Sequence, residues 1–123
     1  MRSYIFLNKI RFGESLHVNI LVDSSHEQKY IATLALQILV ENAIKHNIIS
    51  KDKSLTIDIG AEGDCVFVKN NLQRKTIITD SSHVGLANIK SRYHYFTKKE
   101  VIIHDGSNYF SVYLPLISDS KTI

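Results

Sequence analysis

Apolar residues recur between positions 33 and 48 with the spacing of one face of an α-helix. Starting from the first, they lie at i, i+3, i+4, i+7 and i+8: Leu36, Leu39, Val40, Ala43 and Ile44. A stripe of this kind needs a partner surface to cover it, so the segment predicts an amphipathic helix packed on a sheet or another helix. Thr33 is predicted as its N-cap and Asn47 as its terminator.

Strand patterns surround this central helix. Residues 16–22 alternate with a period of two, and residues 55–59 and 65–68 flank a turn at 62–64. A second helix is predicted at residues 84–96, and a second hairpin joins residues 101–103 to 109–114. Helices interspersed among mostly antiparallel strands predict an α/β (α+β) two-layer sandwich, with helices covering one face of the sheet.

Composition restricts the classes of function. The chain has 123 residues, 44% of them hydrophobic and 22% charged, which is typical of one soluble globular domain. Its net charge of +3 suits an anionic ligand but is too small and too scattered to favour nucleic acid. Cys65 is the single cysteine, so a disulfide framework is excluded. The sequence opens with neither a signal peptide nor a run of about 18 apolar residues, which predicts an intracellular protein or the cytoplasmic part of a larger one.

The polar side of the central helix carries the first candidate functional residues. Glu41 and Lys45 are four residues apart, as are Asn42 and His46. Glu41 and Lys45 can simply form an ion pair on the surface, worth about 0.3–0.5 kcal/mol. Asn42 is a poor helix former in an interior position, and its carboxamide oxygen can ligate Mg²⁺; the ordinary alternative is a boundary residue without a ligand. His46 has a similar alternative as a partner of the last helical carbonyls.

A long polar segment, residues 70–83, separates the first hairpin from the second helix. A structureless segment of this length is usually functional or mobile. It leads into Val84, Gly85 and Leu86, where free backbone N–H groups and the positive end of a helix dipole would favour phosphate. A single glycine at a helix start is also an ordinary way to begin a helix.

Three segments resemble the motifs of a known kinase family. Residues 36–47, LQILVENAIKHN, resemble the N-box of the LytS-type (YehU-like) sensor histidine kinases, which belong to the GHKL ATPase superfamily. Residues 84–93, VGLANIKSRY, resemble the second glycine box of that family, and residues 66–71, VFVKNN, occupy the place of the first. The resemblance extends over residues 4–117 and implies a Bergerat-type fold, a mixed and mostly antiparallel sheet covered on one face by helices.

The resemblance implies that the chain is the C-terminal ATP-binding catalytic domain of a two-component sensor histidine kinase. Such a protein-histidine kinase transfers the γ-phosphoryl group of ATP to a histidine on a separate domain. Asn42 is implied to coordinate Mg²⁺ that bridges the ATP phosphates, and Glu41 to activate the attacking nucleophile. Lys45 and His46 are implied to neutralise phosphate charge.

The other motifs imply contacts with the rest of the nucleotide. The backbone at Val84, Gly85 and Leu86 is implied to hold phosphates, and the loop before it to be a lid that orders on nucleotide. Asn70 stands where the family usually has an aspartate that accepts a hydrogen bond from the adenine amino group. As a neutral side chain, Asn70 loses the charge-assisted part of that bond. Leu72 and His83 stand where relatives usually have glycines.

The resemblance also implies an organisation and partners. Residues 1–12 are expected to end a helix from an upstream dimerisation and phosphoacceptor domain, since Tyr4, Ile5, Leu7 and Phe12 have helical spacing without a start signal. Residues 13–117 form the ATP-binding domain and 118–123 a flexible tail. The expected partners are that upstream domain, a second copy in a full-length homodimer, and a response regulator of LytTR type. The expected location is the cytoplasmic domain of an inner-membrane protein, without direct contact of this segment with membrane or nucleic acid.

Two interpretations of different class follow. The intact run from Glu41 to His46 favours a catalytic ATP-binding domain. The departures at Asn70, Leu72 and His83 favour a degenerate, non-catalytic signalling or dimer-interaction module of the same fold. The phosphoacceptor motif of these kinases is missing before Tyr4, so this segment is expected to supply the catalytic half without phosphorylating itself.

Overall fold

The computed structural model describes residues 2–21, 30–62, 65–73, 81–96 and 99–115. We number the helices and strands in chain order. They are α1 (Arg2–Phe12), a 3-10 turn (Gly13–Ser15), β1 (Leu16–Ile20), α2 (Tyr30–His46), β2 (Leu55–Glu62), β3 (Cys65–Asn71), α3 (Ser81–Phe96), β4 (Ile102–Asp105) and β5 (Tyr109–Pro115).

The five strands form one mixed sheet in the order β1-β2-β3-β5-β4. Only β1 and β2 pair in parallel, with Leu16 opposite Leu55, and the connection between them contains α2. A parallel pair requires such a crossover, because a tight turn cannot return the chain to the same edge. The remaining pairs are antiparallel, and β2–β3 and β4–β5 are the two predicted hairpins. The predicted mixed, mostly antiparallel sheet is confirmed.

The core lies between one face of this sheet and the helices. The five residues of the predicted stripe on α2 are at most 6% exposed, and α2 packs on β2, β3 and α3. Alternate strand residues meet them, including Leu16, Ile57, Ile59, Val66, Val68, Val112 and Leu114. From α3, Ile89 and Tyr93 complete the layer. Burial of one sheet face under helices confirms the predicted two-layer α+β sandwich.

Three element boundaries differ from the prediction. Helix α2 begins at Tyr30, so Thr33 lies within the helix and is not its N-cap. Helix α3 begins at Ser81 instead of residue 84, and β3 continues to Asn71. The predicted loop at 70–83 is therefore shortened at both ends. The reason is that polar residues at the ends of helices and strands interrupt the apolar periodicity while the backbone still continues its hydrogen bonding.

Helix α1 confirms the helical spacing read near the start of the chain, and it ends in a defined turn. Gly13 adopts a φ of +57°, in the left-handed region that favours glycine at helix ends. The Nζ atom of Lys9 donates to the carbonyls of Gly13 at 2.9 Å and Leu16 at 2.6 Å. Buried Ile5 packs in the core. These contacts fix α1 against the start of β1.

Candidate functional site

The candidate residues of α2 lie on its flanks, outside the apolar stripe. Glu41, Asn42 and His46 are half-buried, and Lys45 is exposed. Within the described residues Glu41 and Lys45 do not form an ion pair, so the simple surface pairing allowed by their spacing is not what the structure shows. Lys45 and His46 occupy the last turn, where positive charge also complements the negative end of the helix dipole.

Asn42 differs from the other asparagines that are at least half-buried. The side chains of Asn8, Asn47, Asn70 and Asn71 each donate a hydrogen bond to a backbone carbonyl. No hydrogen bond joins the Asn42 side chain to another residue in the part of the chain that the structure describes. Its amide oxygen is therefore available to an external partner, which is the chemistry that a hard cation such as Mg²⁺ takes.

Glu41 interacts electrostatically with a residue of α1. Burial raises the pKa of the Tyr4 phenol above its usual value, and the negative charge of Glu41 raises it further. Tyr4 packs at the edge of the core, and the side chain of Asn8 donates to its backbone carbonyl at 2.9 Å. The charge of Glu41 therefore affects the ionisation of Tyr4 in α1. Sequence reasoning missed this interaction, because helical spacing places Tyr4 in α1 without indicating which charges lie near it.

Asn70 is buried on the helix-facing side of β3. It is 3% exposed and pairs with Ile57 on one side and Phe110 on the other. Its Nδ2 atom donates to the backbone carbonyl of Asn71 at 2.9 Å, which fixes the orientation of the carboxamide. The Oδ1 atom accepts no hydrogen bond from another described residue. The acceptor that an adenine amino group requires is present, without a negative charge.

Hydrogen bonds of Gln73 with Asn47 and with Ile48 bring the end of α2 to the end of β3. The Oδ1 atom of Asn47 accepts from the backbone N–H of Gln73 at 2.8 Å, while its Nδ2 atom donates to the carbonyl of Ala43 at 2.8 Å. The N–H of Ile48 donates to the carbonyl of Gln73 at 2.7 Å. Asn47 thus ends the helix, as predicted, and also joins Lys45 and His46 to the strand that carries Asn70. The role of Gln73 was not predicted.

The start of α3 places the second motif differently from the prediction. In a helix that begins at Ser81, the N–H of Gly85 donates to the carbonyl of Ser81. The N–H groups left without a helical acceptor are those of residues 81–83. Free backbone donors would therefore come from residues before Gly85, and the phosphate-holding role assigned to Val84, Gly85 and Leu86 remains a prediction. Most of the predicted lid, residues 74–80, lies outside the described residues.

Leu72 follows directly on β3, where the family has a glycine. Its backbone N–H donates to the carbonyl of Asn108 at 2.8 Å, which ties the end of β3 to the β4–β5 turn. The side chain is half-buried. The segment that leaves the sheet beside Asn70 is therefore held on two sides, by Asn108 through Leu72 and by Asn47 through Gln73.

Neither a membrane-spanning helix nor a cluster of metal-binding side chains is found among the described residues. None of their helices is both long and apolar enough to cross a membrane. Groups of three or more His, Cys, Asp or Glu side chains placed to hold a metal ion are also not found among them.

The similarity to curated proteins agrees with the motifs. No family model matches the chain. The sensor histidine kinase/phosphatase LytS of Staphylococcus aureus, in strains Mu50 and N315, is 25% identical over 107 residues, which cover 87% of this chain. Among solved structures, the histidine kinase AdeS of Acinetobacter baumannii is 15% identical, with a TM-score of 0.49, and the match covers 94% of this chain and 64% of that one.

The resemblance to the LytS-type sensor histidine kinases that the motifs predicted is therefore confirmed by sequence similarity. The chain spans 17% of the length of the curated relatives that it matches.

Proposed function

We propose that this chain is the ATP-binding catalytic domain of a two-component sensor histidine kinase. The observation that carries the proposal is Asn42, a half-buried helical asparagine whose side chain bonds to no other described residue. An interior asparagine disfavours a helix and normally compensates by bonding to the backbone, as Asn8 does in α1. An amide left uncommitted at this position is explained by a ligand that it binds.

The surrounding residues suit a magnesium–nucleotide complex. Asn42 would hold Mg²⁺ through its amide oxygen, and the ion when bound neutralises phosphate charge. Lys45, exposed in the next turn, and His46 would donate to phosphate oxygens. Glu41 would accept the proton of the attacking histidine as its nitrogen approaches phosphorus. Because phosphoryl transfer needs little covalent chemistry from the protein, placing these groups around the phosphates is the main catalytic contribution.

The adenine ring of the nucleotide would be held at the end of β3. Asn70 has an oriented carboxamide whose oxygen accepts no bond from another described residue. This oxygen would accept a hydrogen bond from the adenine amino group, and the second N–H of the same amide can donate to a ring nitrogen. The bond at 2.8 Å between Asn47 and Gln73 supports this placement, because it puts the phosphate-side end of α2 beside the strand of Asn70.

In the full-length protein, we expect the domain to phosphorylate a histidine of an upstream dimerisation domain and to pass the group to a response regulator of LytTR type. The printed name of the relative LytS, a sensor histidine kinase/phosphatase, supports this reaction class. A homodimer would bring each catalytic domain to a phosphoacceptor helix.

Thermal unfolding with and without nucleotide tests the proposal. A ligand present at a hundred times its Kd stabilises the folded state by about 2.7 kcal/mol, so Mg²⁺-ATP is expected to raise the Tm of the chain by several degrees. Removing Mg²⁺ with EDTA should reduce the rise, and Asn42→Ala should abolish it. Asn19→Ala is the matched control, since Asn19 bonds to Asp58 on the opposite face of the sheet. An unchanged Tm at millimolar Mg²⁺-ATP would instead favour a module that does not bind nucleotide.

A further inference from the structure

The side chain of Gln73 is surrounded by backbone carbonyls of one connecting segment. Its Nε2 atom lies 3.0 Å from the carbonyl oxygen of Ile48, 3.1 Å from that of Lys53 and 3.0 Å from that of Ser54. All three belong to residues 48–54, which join α2 to β2. An amide nitrogen carries two hydrogens. It can therefore donate to two of these carbonyls, or to all three if one hydrogen is shared between two of them.

Two asparagines complete the arrangement. Asn71 accepts from the N–H of Thr56 at 2.8 Å and donates to the carbonyl of Ser54 at 3.1 Å. Asn47 accepts from the N–H of Gln73 and donates to α2. We refer to Asn47, Asn71 and Gln73 together as the amide clasp. The clasp joins three parts of the chain, the end of α2, the connection to β2 and the end of β3.

The clasp stands between the two halves of the candidate site. Asn47 directly follows His46 in α2, and Gln73 lies three residues after Asn70. Every contact in the clasp goes to the backbone, so it fixes the main chain that carries these residues. Replacing one amide would let the two ends shift relative to each other while leaving the apolar core in place.

We propose that the amide clasp is a positioning element that holds the phosphate-side residues of α2 in register with the adenine-side Asn70. The inference rests on the proposed nucleotide site and adds residues to it. A ligand that touches both halves gains from their fixed separation, because the second contact is then made without a further loss of freedom. A ligand that touches one half alone gains nothing from the clasp.

The test compares three ligands on the 123-residue chain and its variants. Mg²⁺-ATP spans both halves, adenosine reports the adenine half, and magnesium tripolyphosphate reports the phosphate half. For Gln73→Ala, titration by NMR or calorimetry is expected to show Mg²⁺-ATP binding about tenfold weaker, with the two half-ligands within about twofold of the parent. Gln73→Glu should weaken Mg²⁺-ATP further, since a carboxylate would face the three carbonyl oxygens.

Controls separate positioning from loss of fold. Asn19→Ala removes one hydrogen bond of 2.8 Å on the other face of the sheet and should leave all three affinities unchanged. If Gln73→Glu does not fold, Asn71→Ala takes its place, because it removes clasp contacts without introducing a charge. Tm is recorded for each variant, so that binding is compared only between folded proteins.

The outcomes are distinguishable. Selective loss of Mg²⁺-ATP affinity supports the clasp as a positioning element. Equal weakening of all three ligands would show a general structural role and overturn it. Unchanged Mg²⁺-ATP binding in the Gln73 variants would overturn the clasp and leave the proposed function intact, whereas a parent chain that binds no Mg²⁺-ATP would overturn both.

Discussion

Replacing Tyr93 by phenylalanine should stabilise this protein. Tyr93 is 1% exposed in the core, and its hydroxyl oxygen has no hydrogen-bond partner in the part of the chain that the structure describes. A buried polar group without a partner has lost its bonds to water and gained none in return. Phenylalanine keeps the ring and removes only the hydroxyl.

The size of the effect follows from that environment. An unsatisfied buried hydroxyl destabilises the folded state by about 1–3 kcal/mol. Removing its oxygen leaves a small cavity, and the cost of that cavity cancels part of the gain. We therefore expect Tyr93→Phe to raise the free energy of unfolding by about 1 kcal/mol. For a domain of this size, that corresponds to an increase in Tm of about 3–5 °C. Urea denaturation followed by circular dichroism measures the free energy directly.

The same substitution has a pH signature. Burial raises the pKa of Tyr93 well above the usual value of 10.0, and the neighbouring Cys65 raises it further. Below pH 10 the phenol is protonated in both folded and unfolded chains, so its pKa shift costs nothing. As the pH rises above 10 the unfolded chain ionises first, so stability falls. Tyr93→Phe should therefore reduce the loss of stability at alkaline pH. A smaller loss should remain in the variant, because the pKa of Tyr4 is also raised.

Tyr109→Phe is the control for this prediction. Tyr109 is 55% exposed, and its ring keeps the contact with the Lys69 ammonium, 4.6 Å from the ring centroid, whether or not a hydroxyl is present. That variant should change stability by less than about 0.5 kcal/mol. A loss of stability on Tyr93→Phe would show that the Tyr93 hydroxyl makes a stabilising bond, and the reasoning from its burial would be wrong.

Two further predictions concern the sheet. Asn70→Asp should destabilise the ligand-free chain by about 1–3 kcal/mol, because a buried carboxylate would replace the Nδ2 donor beside the Asn71 carbonyl. The same substitution should enlarge the rise in Tm with Mg²⁺-ATP, because the carboxylate would form a charge-assisted bond to adenine. A smaller rise in Tm on a folded variant would contradict the assigned contact. Gly60→Ala should lower the free energy of unfolding, measured by urea denaturation, by about 1–3 kcal/mol, since a β-carbon would lie 2.6 Å from Cζ of Phe67. Phe67→Leu in the same chain should recover part of that stability. No recovery would show that the Phe67 ring already moves aside freely.

The main elements of the fold follow from patterns in the sequence. The stripe from Leu36 to Ile44 predicted α2 and its buried face, because a helix brings residues three and four apart to one side. Apolar runs on either side of short polar turns predicted the two hairpins, and the structure then showed which strand residues face the core. The helix starts were less accurate, with Thr33 taken as a cap inside α2, because a polar residue is compatible with either a cap or a continuing helix.

The candidate site was predicted in part. The run from Glu41 to His46 was recognised by its resemblance to a family motif, and the structure places these residues at the flank of α2. Spacing along a helix cannot show that the charge of Glu41 raises the pKa of Tyr4, because the two residues belong to different helices whose relative placement depends on the whole core. The asparagine without an internal partner, Asn42, also became distinct only when the bonds of the other asparagines were known.

The sequence by itself determined the class of the fold, the apolar faces and the kinase-like motifs, since these depend on local periodicity and residue type. Only the tertiary structure decided how the two ends of the site are joined. Gln73 has no periodicity that indicates which segments its side chain will contact. Its contacts are with carbonyls some twenty residues earlier in the chain, at Ile48, Lys53 and Ser54. A hydrogen bond at 3 Å between such distant segments exists only after the sheet and α2 have packed together.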